Sequence, residues 1–141
     1  MNEARHFLDT NIFVYTFDLR NPNKARRAQN LIAEALATGA GMISYQVAQE
    51  FVAAARKPFR TPMTFDQIER YWHTTLRPLL LVHSSPGLLT RALDFSRRDQ
   101  LSWCDSLIVA AAVQGGCTVL YSEDLQHGRR FGDLVVQNPF L

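Results

Sequence analysis

The first informative stretch of the sequence is Phe7-Leu8-Asp9-Thr10-Asn11-Ile12, in which apolar residues lead to one acid and then a polar pair. Beyond it, apolar residues recur at helical spacing. The pattern predicts a short buried strand that ends at Asp9, followed by a helix that Thr10 or Asn11 caps. Ligands of open α/β sheets bind at the carboxyl ends of the strands, so Asp9 is either a helix-start acid or the first residue of an active site.

The composition is ordinary for a globular protein, with 47% hydrophobic and 20% charged residues. The length of 141 residues suits one domain, and no linker or repeat divides residues 1–141, so we predict a single domain. No apolar run approaches the roughly 20 residues of a membrane span, and the first residues do not resemble a signal peptide. We therefore predict a cytoplasmic protein without membrane contact, in which Cys104 and Cys117 are reduced core residues.

The basic residues are mostly arginine: of fifteen, only Lys24 and Lys57 are lysine. Arginine suits phosphate recognition because its planar guanidinium group binds two phosphate oxygens at once. A codon bias toward arginine explains the same count equally well, and the net charge of +2 favours neither interpretation.

Strand-like segments alternate with helical ones along the chain. Short apolar runs predict further strands at residues 41–44, 79–82, 118–122 and 135–136. The run at 79–82 is continuously apolar, as expected for a parallel strand covered on both faces. Helix boundaries are marked by the capping box Thr64-Phe65-Asp66-Gln67 and by Gly39. The alternation predicts an α/β protein, a three-layer α/β/α sandwich with a central, mainly parallel sheet.

Asp105 lies near the start of a predicted helix that Ser102 caps, where the helix dipole favours an acid. The dipole explains an aspartate here but not its direction, because Asp105 shares a face with Ile108 and Val109. The opposite face is apolar too, so the helix is predicted to be buried all round. A buried carboxylate must be paired, protonated or bound to a metal, which favours a functional role.

Two further acids occupy comparable positions in the chain. Glu50 flanks the apolar stripe of the helix after the second strand, and alone it would be interpreted as a boundary residue in contact with water. Asp124 follows the strand at 118–122, where an Asx-type turn is the alternative explanation. Since that strand and the first should both be central in the sheet, we expect Asp124 to lie beside Asp9.

Together, Asp9, Glu50, Asp105 and Asp124 are predicted to gather at one rim of the sheet. Carboxylates so close to one another repel, and a divalent cation relieves the repulsion. Oxygen ligands without histidine or cysteine favour Mg²⁺ or Mn²⁺ over Zn²⁺. Mg²⁺ binds phosphate oxygens and activates water, so the inferred chemistry is metal-dependent hydrolysis of a phosphodiester.

Four segments carry these acids. Besides Glu50 in its helix, they are Phe7-Leu8-Asp9-Thr10-Asn11, Ser102-Trp103-Cys104-Asp105-Ser106-Leu107-Ile108-Val109-Ala110-Ala111-Ala112 and Leu120-Tyr121-Ser122-Glu123-Asp124-Leu125-Gln126-His127-Gly128. Their order and content resemble the PIN-domain family, and within it the VapC-type toxin ribonucleases of toxin–antitoxin systems. The first segment alone would be a weak match, but all four together are specific.

The resemblance implies a three-layer α/β/α fold and an Mg²⁺- or Mn²⁺-dependent endoribonuclease that forms a homodimer. It also implies RNA as substrate and an antitoxin partner that inserts a helix or an extended tail near the active site. By position, Asp9 and Asp105 would be the main metal ligands. Glu50 and Asp124 would complete the acidic set, through water or a second metal.

The neighbours of the acids are predicted to support them. Those expected to orient the carboxylates by hydrogen bonds are Thr10 or Asn11, together with Ser122. Glu123, beside Asp124, faces either the pocket or solvent. Trp103 is a candidate for stacking on RNA, with core packing as the alternative. Arg129-Arg130 is a candidate for binding RNA phosphate, with a solvated turn as the alternative.

Two other functions compete with the nuclease. Phosphatases of the haloacid dehalogenase type also begin with an aspartate after the first strand. They need a second aspartate two residues later, where this chain has Asn11, and a later lysine that neither Lys24 nor Lys57 supplies. A catalytically inactive binding module with the same fold is the other alternative, and the complete set of four acids argues against it.

Overall fold

The computed structural model describes residues 4–57 and 62–141. Within these ranges the strands are β1 His6–Leu8, β2 Gly41–Ser44, β3 Leu80–Val82, β4 Val119–Tyr121, β5 Arg130–Phe131 and β6 Leu134–Gln137. The helices are α1 Thr10–Tyr15, α2 Pro22–Thr38, α3 Tyr45–Ala55, α4 Phe65–Tyr71, α5 Arg77–Leu79, α6 Pro86–Asp99 and α7 Trp103–Gln114, with a π-helical turn at Trp72–Leu76. The sequence with its two prolines also predicts a loop at 57–62, and four residues of it, numbers 58–61, lie outside the described residues.

The strands form one sheet in the order β3-β2-β1-β4-β6-β5. All neighbouring pairs are parallel except β5 and β6. Helix α1 packs on α2 and α3, while α6 packs on α7, and helices flank the sheet on both sides. The predicted α/β sandwich with a mainly parallel sheet is therefore confirmed. Over residues 4–57 and 62–141, no helix has the length and apolar character needed to cross a membrane.

The capping residues explain several helix boundaries. Thr64 and Gln67 form the expected capping box at the start of α4. Helix α2 ends at Gly39, whose φ of 72° is the left-handed conformation that glycine adopts without strain. Residues 108–112 of α7 are all buried, together with Ser106, so this helix lacks a polar face, as expected.

The edges of the sheet differ from the sequence-based predictions. The strand predicted at 79–82 begins one residue later, and its Leu81 is 52% exposed. The expectation that this strand is covered on both faces is wrong because β3 lies at the edge of the sheet. Strand β5 was not predicted, since two residues that include the exposed Arg130 carry no periodicity.

Candidate functional site

The central strands bring residues from distant parts of the chain to one rim of the sheet. Strand β1 lies between β2 and β4, and Leu8 pairs with Tyr121 in the parallel register. The next residues, Asp9 and Ser122, are joined by a hydrogen bond of 2.8 Å from Ser122 Oγ to Asp9 Oδ2. The expectation that β1 and β4 are adjacent is confirmed.

Asp9 caps helix α1, in place of the predicted caps Thr10 or Asn11. Its backbone is extended (φ −72°, ψ 163°), and its Oδ1 accepts a hydrogen bond of 2.7 Å from the backbone N–H of Thr10. The strand therefore ends at Leu8, one residue earlier than predicted, because the acid itself satisfies a free N–H group of the helix. The same turn aims the carboxylate at the rim.

Burial dominates the electrostatics of Asp9, which is only 5% exposed. Loss of hydration raises the pKa of its carboxyl group to about 6, and the charges of Asp124 and Glu50 act in the same direction. The hydrogen bonds from Ser122 and Thr10 act in the opposite direction, but they are the smaller effect. At neutral pH, a metal-free protein thus holds this carboxylate at a considerable energetic cost.

Ser122 uses its whole hydrogen-bonding capacity at this rim. Besides donating to Asp9, its hydroxyl oxygen accepts from the backbone N–H of Asp124 at 3.2 Å and from that of Leu125 at 3.4 Å. A hydroxyl has one proton and two lone pairs, so the proton is committed to Asp9. Ser122 therefore fixes the turn that carries Asp124 relative to Asp9.

Asp124 is the most open of the acids. Asn11 Nδ2 lies 3.2 Å from its Oδ1 and 3.1 Å from its Oδ2. Partial burial raises the pKa of Asp124, and the negative charges of Asp105 and Glu123 raise it further. The charge of Asp105 is thus felt at Asp124, which brings these two acids into one electrostatic group.

Glu50 is held from two sides. Thr10 Oγ1 lies 3.5 Å from Glu50 Oε2, and Gln46 Nε2 lies 2.8 Å from Glu50 Oε1. Gln46 also donates to the carbonyl oxygen of Cys104, at 3.2 Å. Gln46 was not predicted from the sequence to belong to the site. Its position one turn before an acid on the same helix face was the signal available.

Asp105 lies in the first turn of α7, where its backbone N–H binds the capping hydroxyl of Ser102 at 3.2 Å. Its side chain is half-buried, so the expectation of a fully buried carboxylate at this position is wrong. The first turn of α7 lies at the rim, whereas the apolar residues that share its face lie deeper along the helix. Asp9 is the buried acid instead.

Glu123 turns toward the helices that follow β1. Its carboxylate accepts hydrogen bonds from Lys24 Nζ at 3.0 and 3.1 Å and from the Tyr15 hydroxyl at 3.2 Å. Lys24 also lies over the rings of Tyr15 and Phe140, at 4.5 and 5.3 Å from the ring centres. This ion pair fastens the turn next to Asp124 to α2.

The three candidate RNA-binding residues differ in their exposure and in the contacts that they already make. Trp103 is 41% exposed and lies two residues before Asp105. Arg130 is exposed, whereas Arg129 donates to the carbonyl oxygen of Asp99 at 2.9 Å and lies over the Phe131 ring. Cys104 is exposed rather than in the core, since the first turn of α7 meets solvent, and both cysteines are free.

The chemistry of the four acids suits a hard divalent cation, although their arrangement does not already form a metal site. Among the described residues, no group of three or more histidine, cysteine, aspartate or glutamate side chains is already arranged to hold a metal ion. The four acids at the rim nevertheless offer only carboxylate oxygens, and a bound cation would lower the raised pKa of Asp9. Such ligands fit Mg²⁺ or Mn²⁺ better than Zn²⁺.

Comparisons with known proteins agree with this architecture. Among solved structures, the chain is similar to a toxin–antitoxin complex from Klebsiella pneumoniae, with a TM-score of 0.67, 20% identity and coverage of 95% of this chain and 97% of the other. It is also similar to VapBC2 from Rickettsia felis bound to a DNA fragment from the promoter, with a TM-score of 0.61, 16% identity and coverage of 94% and 96%. No curated protein matches the sequence.

The family itself is given by the sequence profile. The profile of the PIN domain matches residues 6–130, which run from the start of β1 to the start of β5 and include all four acids at the rim. With the parallel sheet and the site geometry described above, this match shows that the chain belongs to the PIN domain family.

Proposed function

We propose that this protein is a metal-dependent endoribonuclease, the toxin of a type II toxin–antitoxin system. The observation that carries the proposal is the connected acidic rim, in which Ser122, Asn11 and Thr10 link Asp9, Asp124 and Glu50 by hydrogen bonds. PIN-domain toxins are generally nucleases, and PIN domains typically use divalent metals. An acidic, hydrogen-bonded rim with a buried carboxylate of raised pKa suits that chemistry.

In this proposal, Asp9 and Asp105 are the main ligands of Mg²⁺ or Mn²⁺, and Glu50 and Asp124 complete the acidic set. When bound, the cation would neutralise the carboxylates, bind a phosphate oxygen and activate the attacking water. The protein's part is orientation. Ser122 and the Thr10 N–H hold one oxygen each of Asp9, and Asn11 holds Asp124.

RNA is the proposed substrate, and exposed side chains near the acids support it. Asp124 is exposed, so solvent and a substrate could reach it. Trp103 offers an exposed ring for stacking on a base. Arg130 is exposed, but it lies on the edge strand at the level of the first residues of β1 and β4, away from the acids, so a phosphate contact there would be remote from the cleaved bond. Arg129 is already bound to Asp99 and contributes mainly by holding the hairpin of β5 and β6.

The proposed partners are an antitoxin and a second copy of the chain. Both similar structures come from toxin–antitoxin systems, which supports an antitoxin here. Growth arrest on expression of this chain alone should be relieved by co-expressing an antitoxin, for which a short reading frame adjacent to the gene would be the first candidate to test. Size-exclusion chromatography with light scattering would test for the homodimer.

The phosphatase alternative is weaker for a structural reason. The second aspartate required by phosphatases of the haloacid dehalogenase type would stand at Asn11, where a carboxylate would face Asp124 within 3.2 Å. The amide of Asn11 instead donates to both oxygens of that acid.

The proposal is tested by incubating purified, inhibitor-free protein with RNA in the presence of Mg²⁺ or Mn²⁺. We expect cleavage that EDTA stops, and a loss of at least about 100-fold in Asp9→Asn and Asp105→Asn. Asp133→Asn is the matched control, because Asp133 is exposed in the turn between β5 and β6 and should leave the rate unchanged. A protein that leaves RNA intact but hydrolyses a small phosphomonoester would refute the nuclease assignment.

A further inference from the structure

A glutamine outside the acidic set connects two of the elements that carry it. Gln46 Nε2 donates to Glu50 Oε1 at 2.8 Å, within α3, and to the carbonyl oxygen of Cys104 at 3.2 Å, in α7. Cys104 directly precedes Asp105 in the first turn of α7. Gln46 thus ties the helix of Glu50 to the helix of Asp105 at the point where both reach the rim.

The chemistry of the two partners determines how the Gln46 amide is turned. A carboxylate and a backbone carbonyl group can only accept hydrogen bonds, so both contacts require the two N–H groups of the same amide nitrogen. The other oxygen of Glu50, Oε2, faces Thr10 Oγ1 of α1 at 3.5 Å. The Glu50 carboxylate is therefore oriented by donors on two different helices.

Asp105 is positioned differently from the other acids. Asp9 and Asp124 are oriented by side-chain donors, Ser122 and Asn11. The position of Asp105 follows from that of helix α7, whose first turn is capped by Ser102 and contacted by Gln46. Any change in the spacing between α3 and α7 would therefore move Asp105 relative to Glu50.

We propose that Gln46 is a positioning residue of the metal centre. It sets the separation between Glu50 and the helix of Asp105, so that the two carboxylates can serve one cation. Gln46 itself touches neither the cation nor the RNA. This role rests on the proposed function, because it presupposes that the acidic rim binds a divalent metal.

The test measures Mn²⁺ affinity by isothermal titration calorimetry without RNA, so that binding is separated from turnover. Gln46→Met keeps the length of the side chain and removes both donors, and we expect it to weaken Mn²⁺ binding by about 10- to 100-fold. Gln49→Met is the matched control: Gln49 is exposed on the same helix and should retain wild-type affinity. Gln46→Ala provides the same comparison if the methionine variant does not fold.

A double-mutant cycle with Glu50→Ala distinguishes positioning from a general structural effect. If Gln46 acts by placing Glu50 against α7, then Gln46→Met should change the Mn²⁺ affinity less than about twofold once Glu50 is absent. Urea unfolding in EDTA should give similar midpoints for Gln46→Met and for the wild type, since the lost bonds are half-exposed.

Each outcome has a distinct meaning. Wild-type protein that binds no Mn²⁺ would overturn both the proposed function and the role of Gln46. Wild-type binding together with unchanged affinity in Gln46→Met and Gln46→Ala would overturn the role of Gln46 alone. Equal losses from Gln46→Met with and without Glu50 would also overturn it, because the glutamine would then act independently of that acid.

Discussion

At the scale of single residues, Asp9 is under two opposing influences, burial that disfavours its charge and hydrogen bonds that favour it. It is 5% exposed and lies among other acids, yet it is fixed by two hydrogen bonds that suit its charged form. Burial nevertheless prevails and raises the pKa to about 6. Residues that a protein holds at an energetic cost are often functional, because substitutions that relieve the cost usually remove activity.

This conflict gives a pH-dependent prediction for the metal-free protein. A folded-state pKa raised from 3.8 to about 6 stabilises the fold below pH 3.8, and the stabilisation is lost as the pH rises through 6. Relative to Asp9→Asn, the wild type should therefore gain about 1.4 kcal/mol of unfolding free energy between pH 8 and pH 5. Urea unfolding of both proteins in EDTA at the two pH values measures the difference.

The substitution Asp9→Asn changes hydrogen bonding as well as charge, and the two effects have to be separated. An asparagine presents one acceptor oxygen to the two donors, Ser122 and Thr10, whereas the carboxylate presents two, so the absolute stabilities of the two proteins differ. The prediction therefore concerns the change with pH and not the absolute stability. Parallel stability curves for the two proteins between pH 5 and pH 8 would contradict it.

At the scale of elements, the close approach of α2 to β2 fixes where the second strand begins. A Cβ atom on Gly41 would overlap Ala35 of α2 and would lie 2.6 Å from Nε2 of His6 on β1. The space between this helix and the sheet is thus too small for any side chain at the first residue of β2. The chain leaves α2 at Gly39 and enters β2 at Gly41, so the helix and the strand pack closely at this junction.

Gly41→Ala should therefore lower the free energy of unfolding by about 1–3 kcal/mol, because neighbouring backbone would have to move. The matched substitution is Gly87→Ala in the first turn of α6, where the nearest atom to a new Cβ is 4.0 Å away. That change should be neutral or should stabilise by up to about 1 kcal/mol, because alanine is the better helix former. Equal unfolding midpoints for the two variants in urea would contradict this prediction, because α2 and β2 would then accommodate the added methyl group without cost.

At the scale of the whole molecule, the two thiols report on different states of the protein. Cys104 is exposed at the rim, whereas Cys117 is buried at the opposite end of α7 and burial raises its pKa to about 12. Cys117 should become reactive only when the sheet around it opens. Modification of Cys104 thus reports on the native surface, and modification of Cys117 reports on global unfolding.

Maleimide labelling of the native protein at pH 7.5, followed by peptide mass spectrometry, should modify Cys104 within minutes and leave Cys117 intact. Cys117 should react at a comparable rate only in denaturant, since a thiol reacts as its thiolate. Cys104→Ser provides the control in which native labelling disappears. Equal labelling of both cysteines under native conditions would contradict the packing around β4.

Sequence periodicity was sufficient for the central elements and insufficient at the edges. Strands β1, β2 and β4, and helix α7, are covered by neighbours, so their apolar runs reflect their positions directly. The prediction that Leu81 is covered was wrong because an apolar residue at a sheet edge cannot be distinguished in the sequence from a buried one. The four acids were proposed from their positions after strands or on the helices that follow them. Which of Asp9 and Asp105 is the more buried could not be predicted, because it depends on how deeply each turn lies in the rim. Gln46 was missed because its spacing of four residues to Glu50 is common on helix surfaces, and its second partner, the backbone carbonyl oxygen of Cys104, leaves no signal in the sequence.

The bond between Ser122 and Asp9 spans 113 positions of the chain. During synthesis, β1 can pair with β2 early, but the hydrogen bond to Asp9 must wait until Ser122, 113 positions later, has emerged from the ribosome. Loops of this length close late and slowly, so a nascent or prematurely terminated chain lacks the assembled centre. If the chain is the ribonuclease proposed above, that delay would keep unfinished copies inactive toward the cell's own transcripts.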